Sequence, residues 1–456
     1  MKTLLICVSE TPVVRNLLRG DFLKVILADT ELKTVILTTP DKKERLQKEF
    51  EPKGIKVVAI ATPRAGFIEK ALTFISRNTL KTGTVTFNQN REPGRNSLVG
   101  KIKFITKRLL WGLVGRSHLF QKMFRFFELK RKPSRDIARL FDDIQPDLVF
   151  STILINPNID LPVIVEAKRR GIKTVAMVRG WDNFTSHGFM RVLPDLFLLQ
   201  NEYLKEMGLK YQFMKPESLK VVGFPQYDYY FDQSLRESRE TFLQKLNISP
   251  TKRVVLFGAM GDFLFPKEGE IAEIFEELIE EKKIPDDLVL VFRAHPAFES
   301  PLEQMKNLKH VIPDRVANYP SGQLNDWDMG RREVAHLINS IIHSEMTINA
   351  GSTIALDALA LEKPAISIAF EKTKVPYWLS AARFRDAYTH YEYLMPLGGI
   401  GKADSKEELA SVINRYLKNP EADREGRERV KKDFFSPFTG HVSETIGQII
   451  LEEINR

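Results

Sequence analysis

Short apolar runs alternate along the chain with longer stretches in which apolar side chains recur every third or fourth residue. Alternating strand and helix periods are the pattern of α/β domains built on parallel sheets. In the first half the pattern predicts strands at Thr3–Val8, Lys33–Leu37, Lys56–Ile60, Leu148–Ser151, Thr174–Val178, Leu196–Leu199 and Leu219–Val222. Helices are predicted over Pro12–Ala28, Lys42–Phe50, Ser134–Ile144 and Ile159–Arg170, the last stopped by Gly171. A connecting helix near Leu235–Leu246 leads to Ser249-Pro250-Thr251, a turn-rich boundary.

The pattern then restarts. Strands are predicted at Val254–Phe257, Leu288–Phe292, Met346–Asn349 and Ala365–Ala369, and helices at Ile271–Lys282, Arg331–Ile341 and Ser352–Leu361. Amphipathic helices at Lys406–Lys418 and Gly440–Glu453 close the chain. The expectation is two doubly wound units, residues 1–235 and 236–456, with the closing helices in the second. A chain of 456 residues suits two cores of that size.

Composition narrows the picture. Cys7 is the only cysteine, so an intramolecular disulfide and a thiol-based zinc site are both excluded, which fits a reducing cytosol. No secretory signal is expected, because Leu4–Val8 is strand-length and runs into Ser9-Glu10-Thr11. No apolar run reaches the ~18 residues of a membrane span. The formal charge of +9 is uneven: Lys101–Arg135 holds eleven Lys/Arg against Glu128 alone, a net +10 that leaves −1 for the remainder. That favours a local surface for an anionic partner and argues against a nucleic-acid-binding protein. In the same insertion, about 98–133, Leu109, Trp111, Leu113, Phe120, Met123 and Phe127 interleave with the basic residues. A helix so built can lie in an anionic membrane surface; the alternative is a core-packed helix with a solvated charged face. Residues 64–100 suggest no role.

The candidate chemistry sits at strand ends, where open α/β sheets bind ligands. At Asn349-Ala350-Gly351-Ser352-Thr353 a strand meets a small-residue turn and a helix start, which would offer unpaired amides and two hydroxyls to a phosphate. Asp357, about one turn on, could accept hydrogen bonds from a ribose diol; the alternative makes Ser352 only a helix cap. The loop from Gly258 to Gly261 could present further amides, and Arg293-Ala294-His295-Pro296 puts a cation and an imidazole at another strand end. His295 would donate to a phosphate or base, or be structural. Arg179-Gly180-Trp181-Asp182-Asn183-Phe184-Thr185 follows a strand of the first unit. Trp181 offers an apolar plane for a sugar, Asp182, Asn183 and Thr185 offer polar groups, and Arg179 could counter a diphosphate. The alternative there is a capped helix start with Trp181 buried. The Asp-x-Asp at Asp326–Asp328 reads as a solvated turn, and no metal is expected.

Three strings carry a family likeness: VFRAHP, INAGSTIALDALALEKPAISI and TGHVSETI. With RGWDNFTSHG, LLQNEYLKE and VVGFPQYDYY, they resemble bacterial surface-polysaccharide glycosyltransferases of the GT-B type and the CDP-glycerol glycerophosphotransferase group, over roughly residues 134 to 450. The resemblance implies two Rossmann-like domains facing each other across a cleft. It implies a nucleotide-activated donor on the second and a glycan or lipid-linked acceptor on the first. It also implies a metal-independent glycosyltransferase without cofactor, in the cytoplasm at the inner membrane face. Glu10, first, and Asp182 are then the candidate bases for the acceptor hydroxyl. The chain departs from related patterns: Ala350 stands where glycerol phosphate polymerases usually carry Asp, and Asn349 and Asp357 stand where a Glu-x7-Glu signature would fall. Alternatives are a CDP-glycerol or CDP-ribitol phosphotransferase on the same fold, a UDP-N-acetylglucosamine 2-epimerase-like enzyme, and a non-catalytic nucleotide-binding scaffold.

Overall fold

A computed structural model describes residues 1–62, 65–91, 97–132, 134–154, 159–315, 317–319 and 327–456. Asp326 of the Asp-x-Asp motif lies outside them. The chain divides into two compact units, Met1–Asp228 with Ser436–Arg456, and Tyr229–Phe435.

The first unit is built on β1 (Lys2–Val8), β2 (Leu32–Thr38), β3 (Lys56–Ala59), β4 (Leu148–Ser151), β5 (Lys173–Met177), β6 (Leu196–Leu199) and β7 (Leu219–Val221). They form one sheet in the order β3-β2-β1-β4-β5-β6-β7. All neighbouring pairs are parallel. Leu4, Ile6, Leu148, Phe150 and Val175 are wholly buried, as expected of strands covered by helices on both faces. The order reverses between β1 and β4, which makes their C-terminal ends the natural ligand edge.

Two sequence expectations are corrected in this unit. The helix predicted over Pro12–Ala28 is broken: a short turn at Thr11–Val13 runs into a π-helical turn at Val14–Leu18, and a new helix starts at Asp21. The last helix, Val442–Asn455, packs here and not with the second half. Its Ile446, Ile449, Ile450 and Ile454 join the core around Leu4 and Phe22. Gly447 permits the close approach, since a Cβ there would stand 2.9 Å from that of Val25. Asp228 caps the helix, accepting from the Val442 amide at 3.0 Å and from the Ser443 amide and hydroxyl, each at 2.7 Å.

Helices at Phe67–Asn78 and Gly83–Arg91 occupy much of the stretch that the sequence left without a role. The basic insertion is a pair of helices, Leu98–Val114 and His118–Lys130. Ser97 and Ser117 cap them, accepting from the amides of Gly100 at 3.0 Å and Phe120 at 3.1 Å. Among the described residues no helix is long and apolar enough to cross a membrane.

The second unit holds β8 (Arg253–Gly258), β9 (Leu288–Arg293), β10 (Val311–Asp314), β11 (Ser344–Asn349), β12 (Ala365–Ile368) and β13 (Ile400–Ala403), in the order β10-β9-β8-β11-β12-β13. These pairs are parallel too. Here the order reverses between β8 and β11. Edge strands β10 and β13 escaped the sequence reading. Their segments, Val-Ile-Pro-Asp and Ile-Gly-Lys-Ala, lack the sustained apolar run that marks the central strands.

Candidate functional site

In the second unit the exits of β9, β8 and β11 are packed side by side. Gly258 ends β8 against the helix that follows β11, where an added Cβ would lie 2.4 Å from Ile354 Cγ2. Gly261 has φ +83°, and its added Cβ would lie 2.2 Å from the Cβ of Phe298 in the β9 exit. The two glycines are therefore needed for close packing and backbone conformation. The structure thus brings together the loops of Gly258, His295 and Ser352.

It does not leave their amides open as expected. Glu268 Oε2 accepts from the Met260 amide at 2.7 Å and the Gly261 amide at 2.9 Å, and Oε1 accepts from Ser300 Oγ at 2.8 Å. Burial outweighs these bonds and pushes the Glu268 carboxyl up to about 7. Asn349 Oδ1 likewise accepts from the amides of Gly351 at 2.9 Å and Ser352 at 3.1 Å. The turn needs glycine at 351, where φ is +118° and an added Cβ would stand 2.5 Å from that of Phe384. An anion at this edge would therefore meet side chains more than loop amides.

His295 is the clearest of these. Its Nδ1 accepts from the Ala297 amide at 3.0 Å, and its ring stacks on Phe298 with centroids 4.7 Å apart. Burial pushes its pKa down to about 4. The ring is then neutral near pH 7, and with Nδ1 accepting, its proton resides on Nε2, a donor. Ser352 Oγ accepts from the Ile354 amide at 3.5 Å, which keeps its O–H as a donor. Thr353 is exposed.

Two further residues differ from expectation. Arg293 is buried, and its Nη1 lies 3.7 Å from Asp314 Oδ2, which also meets His336 Nε2 at 3.0 Å. Its charge is committed beside β10 instead of to a donor. Asp357 Oδ1 accepts from the Tyr230 hydroxyl at 2.7 Å, so part of the carboxylate expected at a ribose is already engaged.

In the first unit Glu10 follows β1 and Arg179 follows β5. The two are paired, Arg179 Nη1 to Glu10 Oε2 at 2.9 Å, and the Glu10 side chain keeps 30 % of its surface exposed. The Trp181-Asp182-Asn183 segment is a closed structural loop. Trp181 is buried against Tyr203, so its plane is not offered to a sugar. Asn183 and Thr185 are buried as well: Asn183 Oδ1 accepts from the Gly180 amide at 2.8 Å, and Thr185 Oγ1 donates to the Asp182 carbonyl at 2.9 Å. Asp182 accepts from Ser186 Oγ at 2.7 Å and from Asn183 Nδ2 at 3.3 Å.

Sequence reasoning missed Glu268, Tyr230 and Asp160. Asp160 is wholly buried and accepts from Ser151 Oγ at 2.7 Å; burial, and to a lesser degree the Glu10 charge, pushes its carboxyl up to about 6. Glu268 and Asp160 stand beside no motif, and Tyr230, though it ends the VVGFPQYDYY string, carries no local signal of its partner Asp357. Asn349 was more legible, because an Asn two residues before a glycine signals a side-chain-closed turn. Among the described residues no three His, Cys, Asp or Glu side chains gather to hold a metal ion.

Comparison with solved structures returns the same architecture. UDP-N-acetylglucosamine 2-epimerase from Neisseria meningitidis, bound to UDP-GlcNAc, superposes with TM-score 0.54 at 12% identity, covering 99% of this chain and 100% of that one. MnaA of S. aureus with UDP gives 0.54 at 13%, covering 100% and 97%. A glycosyltransferase from Rickettsia africae gives 0.52 at 13%, covering 100% and 99%. At such identities the likeness establishes the fold alone, two Rossmann-like units of the GT-B type. No curated protein matches the chain by sequence. Residues 192–452, more than half of the chain, match the family of CDP-glycerol:poly(glycerophosphate) glycerophosphotransferases. That span runs from just past the Trp181 loop through the exits of β8, β9 and β11 to the closing helix, and the chain is accordingly a member of the CDP-glycerol glycerophosphotransferase family, a transferase of a nucleotide-activated sugar or alcohol.

Proposed function

We propose that this transferase moves a phosphoalcohol group, glycerol phosphate or ribitol phosphate, from its CDP-activated form to a hydroxyl of a surface glycan or lipid-linked acceptor. The observation that carries the reading is His295: a neutral imidazole with Nε2–H as its donor, on the β9 exit that packs against the β8 loop, in a chain of this family. In the proposed step the acceptor oxygen attacks the β-phosphorus. The new P–O bond forms as the bond from that phosphorus to the bridging oxygen breaks, and CMP leaves. His295 and Ser352 would donate to phosphate oxygens as charge grows on the leaving nucleotide. The acceptor proton would pass to a carboxylate. Glu10 is preferred over Asp182, because both Asp182 oxygens already accept hydrogen bonds within their own loop.

This choice reverses the order given by sequence alone, which put glycosyl transfer first. Glycosyl transfer remains the second reading, favoured by Ala350 in place of the usual polymerase aspartate. The two reactions release different nucleotides. Attack at phosphorus yields CMP, whereas attack at an anomeric carbon yields a nucleoside diphosphate. Incubating the chain with CDP-glycerol, CDP-ribitol and a panel of UDP- and GDP-sugars, with and without acceptor, and identifying the nucleotide released therefore decides between them. CMP formed only from a CDP-alcohol is the expected result; a diphosphate from a sugar donor would replace it with glycosyl transfer. Release of neither nucleotide, with interconversion of the free donor, would point to an epimerase. Turnover is expected to persist in EDTA, with side chains and not a metal meeting the leaving charge. We place the reaction in the cytoplasm at the inner membrane face, with the Lys101–Arg135 block toward anionic lipid.

A further inference from the structure

The two insertion helices are inside out for a protein in water. A water-facing helix buries its apolar stripe and exposes its charges. In Leu98–Val114, Leu98, Ile102, Ile105, Leu109 and Leu113 follow one another at spacings of four, three, four and four, a single stripe, and all are exposed, Leu113 by 80%. Lys107, by contrast, is buried, its Nζ 5.5 Å from the centroid of the Phe74 ring. In His118–Lys130, Leu119, Met123, Phe126 and Phe127 form a second outward stripe, with Phe127 59% exposed.

These faces are held outward by contacts on the other side. Arg191, fully buried, donates to Glu128 Oε2 at 2.8 Å and pairs with Glu69. Arg125 Nε donates to the Met190 carbonyl at 2.9 Å, and Phe124 meets Phe189 edge-on with centroids 5.0 Å apart. Gly115, where a Cβ would lie 2.4 Å from the Thr79 carbonyl oxygen, fixes the bend between the helices.

We infer that this face inserts into the headgroup region of an anionic bilayer, the two apolar stripes entering the lipid while Lys101, Lys103, Arg116, Lys122, Lys130 and Lys132, all exposed, meet lipid phosphates. It deepens the membrane part of the function proposed above and rests on it. Charge complementarity selects the occupant, because a second copy of the chain would bring the same basic block against this one.

Flotation of the full chain with phosphatidylcholine vesicles, with and without phosphatidylglycerol, tests the assignment without any donor. The transferase reading and this one can therefore fail separately. The wild type is expected to float with the anionic vesicles only. Leu113→Glu and Phe127→Glu should each weaken that binding about tenfold or more, since burying one such side chain is worth at least that factor. Lys122→Gln with Lys130→Gln should weaken it about fivefold per site, while melting curves match the wild type. Wild type that ignores anionic vesicles, variants that bind as well as wild type, or a wild-type dimer that Phe127→Glu dissolves would each overturn the proposal.

Discussion

At Asn349 and Glu268 a single side-chain oxygen takes two successive amides that a strand-end loop would otherwise turn toward a ligand. On the proposed reading, donor recognition falls to the side chains of His295 and Ser352. Replacing either by Ala should weaken CDP-glycerol binding about tenfold, the worth of a hydrogen bond to a charged group, read by calorimetric titration. Unchanged affinity in both variants would remove the donor site from this edge. Glu268 makes a second prediction. Its folded pKa of about 7 lies above the ordinary 4.5, so the folded state binds its proton more tightly. The stability it contributes is complete below about pH 4.5 and is lost as pH rises through 7, up to about 3 kcal/mol. Urea unfolding should show wild type weakening from roughly pH 5 to pH 8, with Glu268→Gln showing a flatter profile. An equal slope in both would mean that Glu268 is charged throughout. His295 and the Gly351 turn could be read from sequence because their signals are local. Glu268 could not, since its partners at Met260 and Ser300 are supplied by tertiary contact.

Among the elements, the glycine-closed exit of β11 is the most sharply constrained. Gly351→Ala would put an L side chain at φ +118° and against Phe384. Strain and overlap together should cost about 2 kcal/mol or more, visible as a lower thermal midpoint, and the variant should lose donor affinity as the Ser352 hydroxyl shifts. A midpoint within a degree of wild type would show that the turn relaxes freely. The central strands were legible because burial on both faces makes them continuous apolar runs. The π-helical turn at Val14–Leu18 was not. It arises where the Arg19 amide reaches the Val14 carbonyl at 2.9 Å, five residues back, which residue periodicity does not encode.

Taken whole, the chain returns at its end to complete the unit it began. A chain terminated at Phe435 would lose four buried isoleucines from the first core, each worth about 1.5–3 kcal/mol. The first unit should then unfold early or be digested by protease, while Tyr229–Phe435 survives as a protected fragment; equal protection of both units would deny the helix that role. The sequence by itself determined the α/β class, two parallel-sheet units and the strand ends that bear His295, Gly351 and Ser352, because periodicity, glycine and caps act over a few residues. Only tertiary structure decided that the final helix belongs to the first unit, that Trp181 is core, that Arg293 is spent on Asp314 and that leucines face outward beside a buried Lys107. Each of those depends on which surfaces meet across long stretches of chain, and no local pattern carries that information.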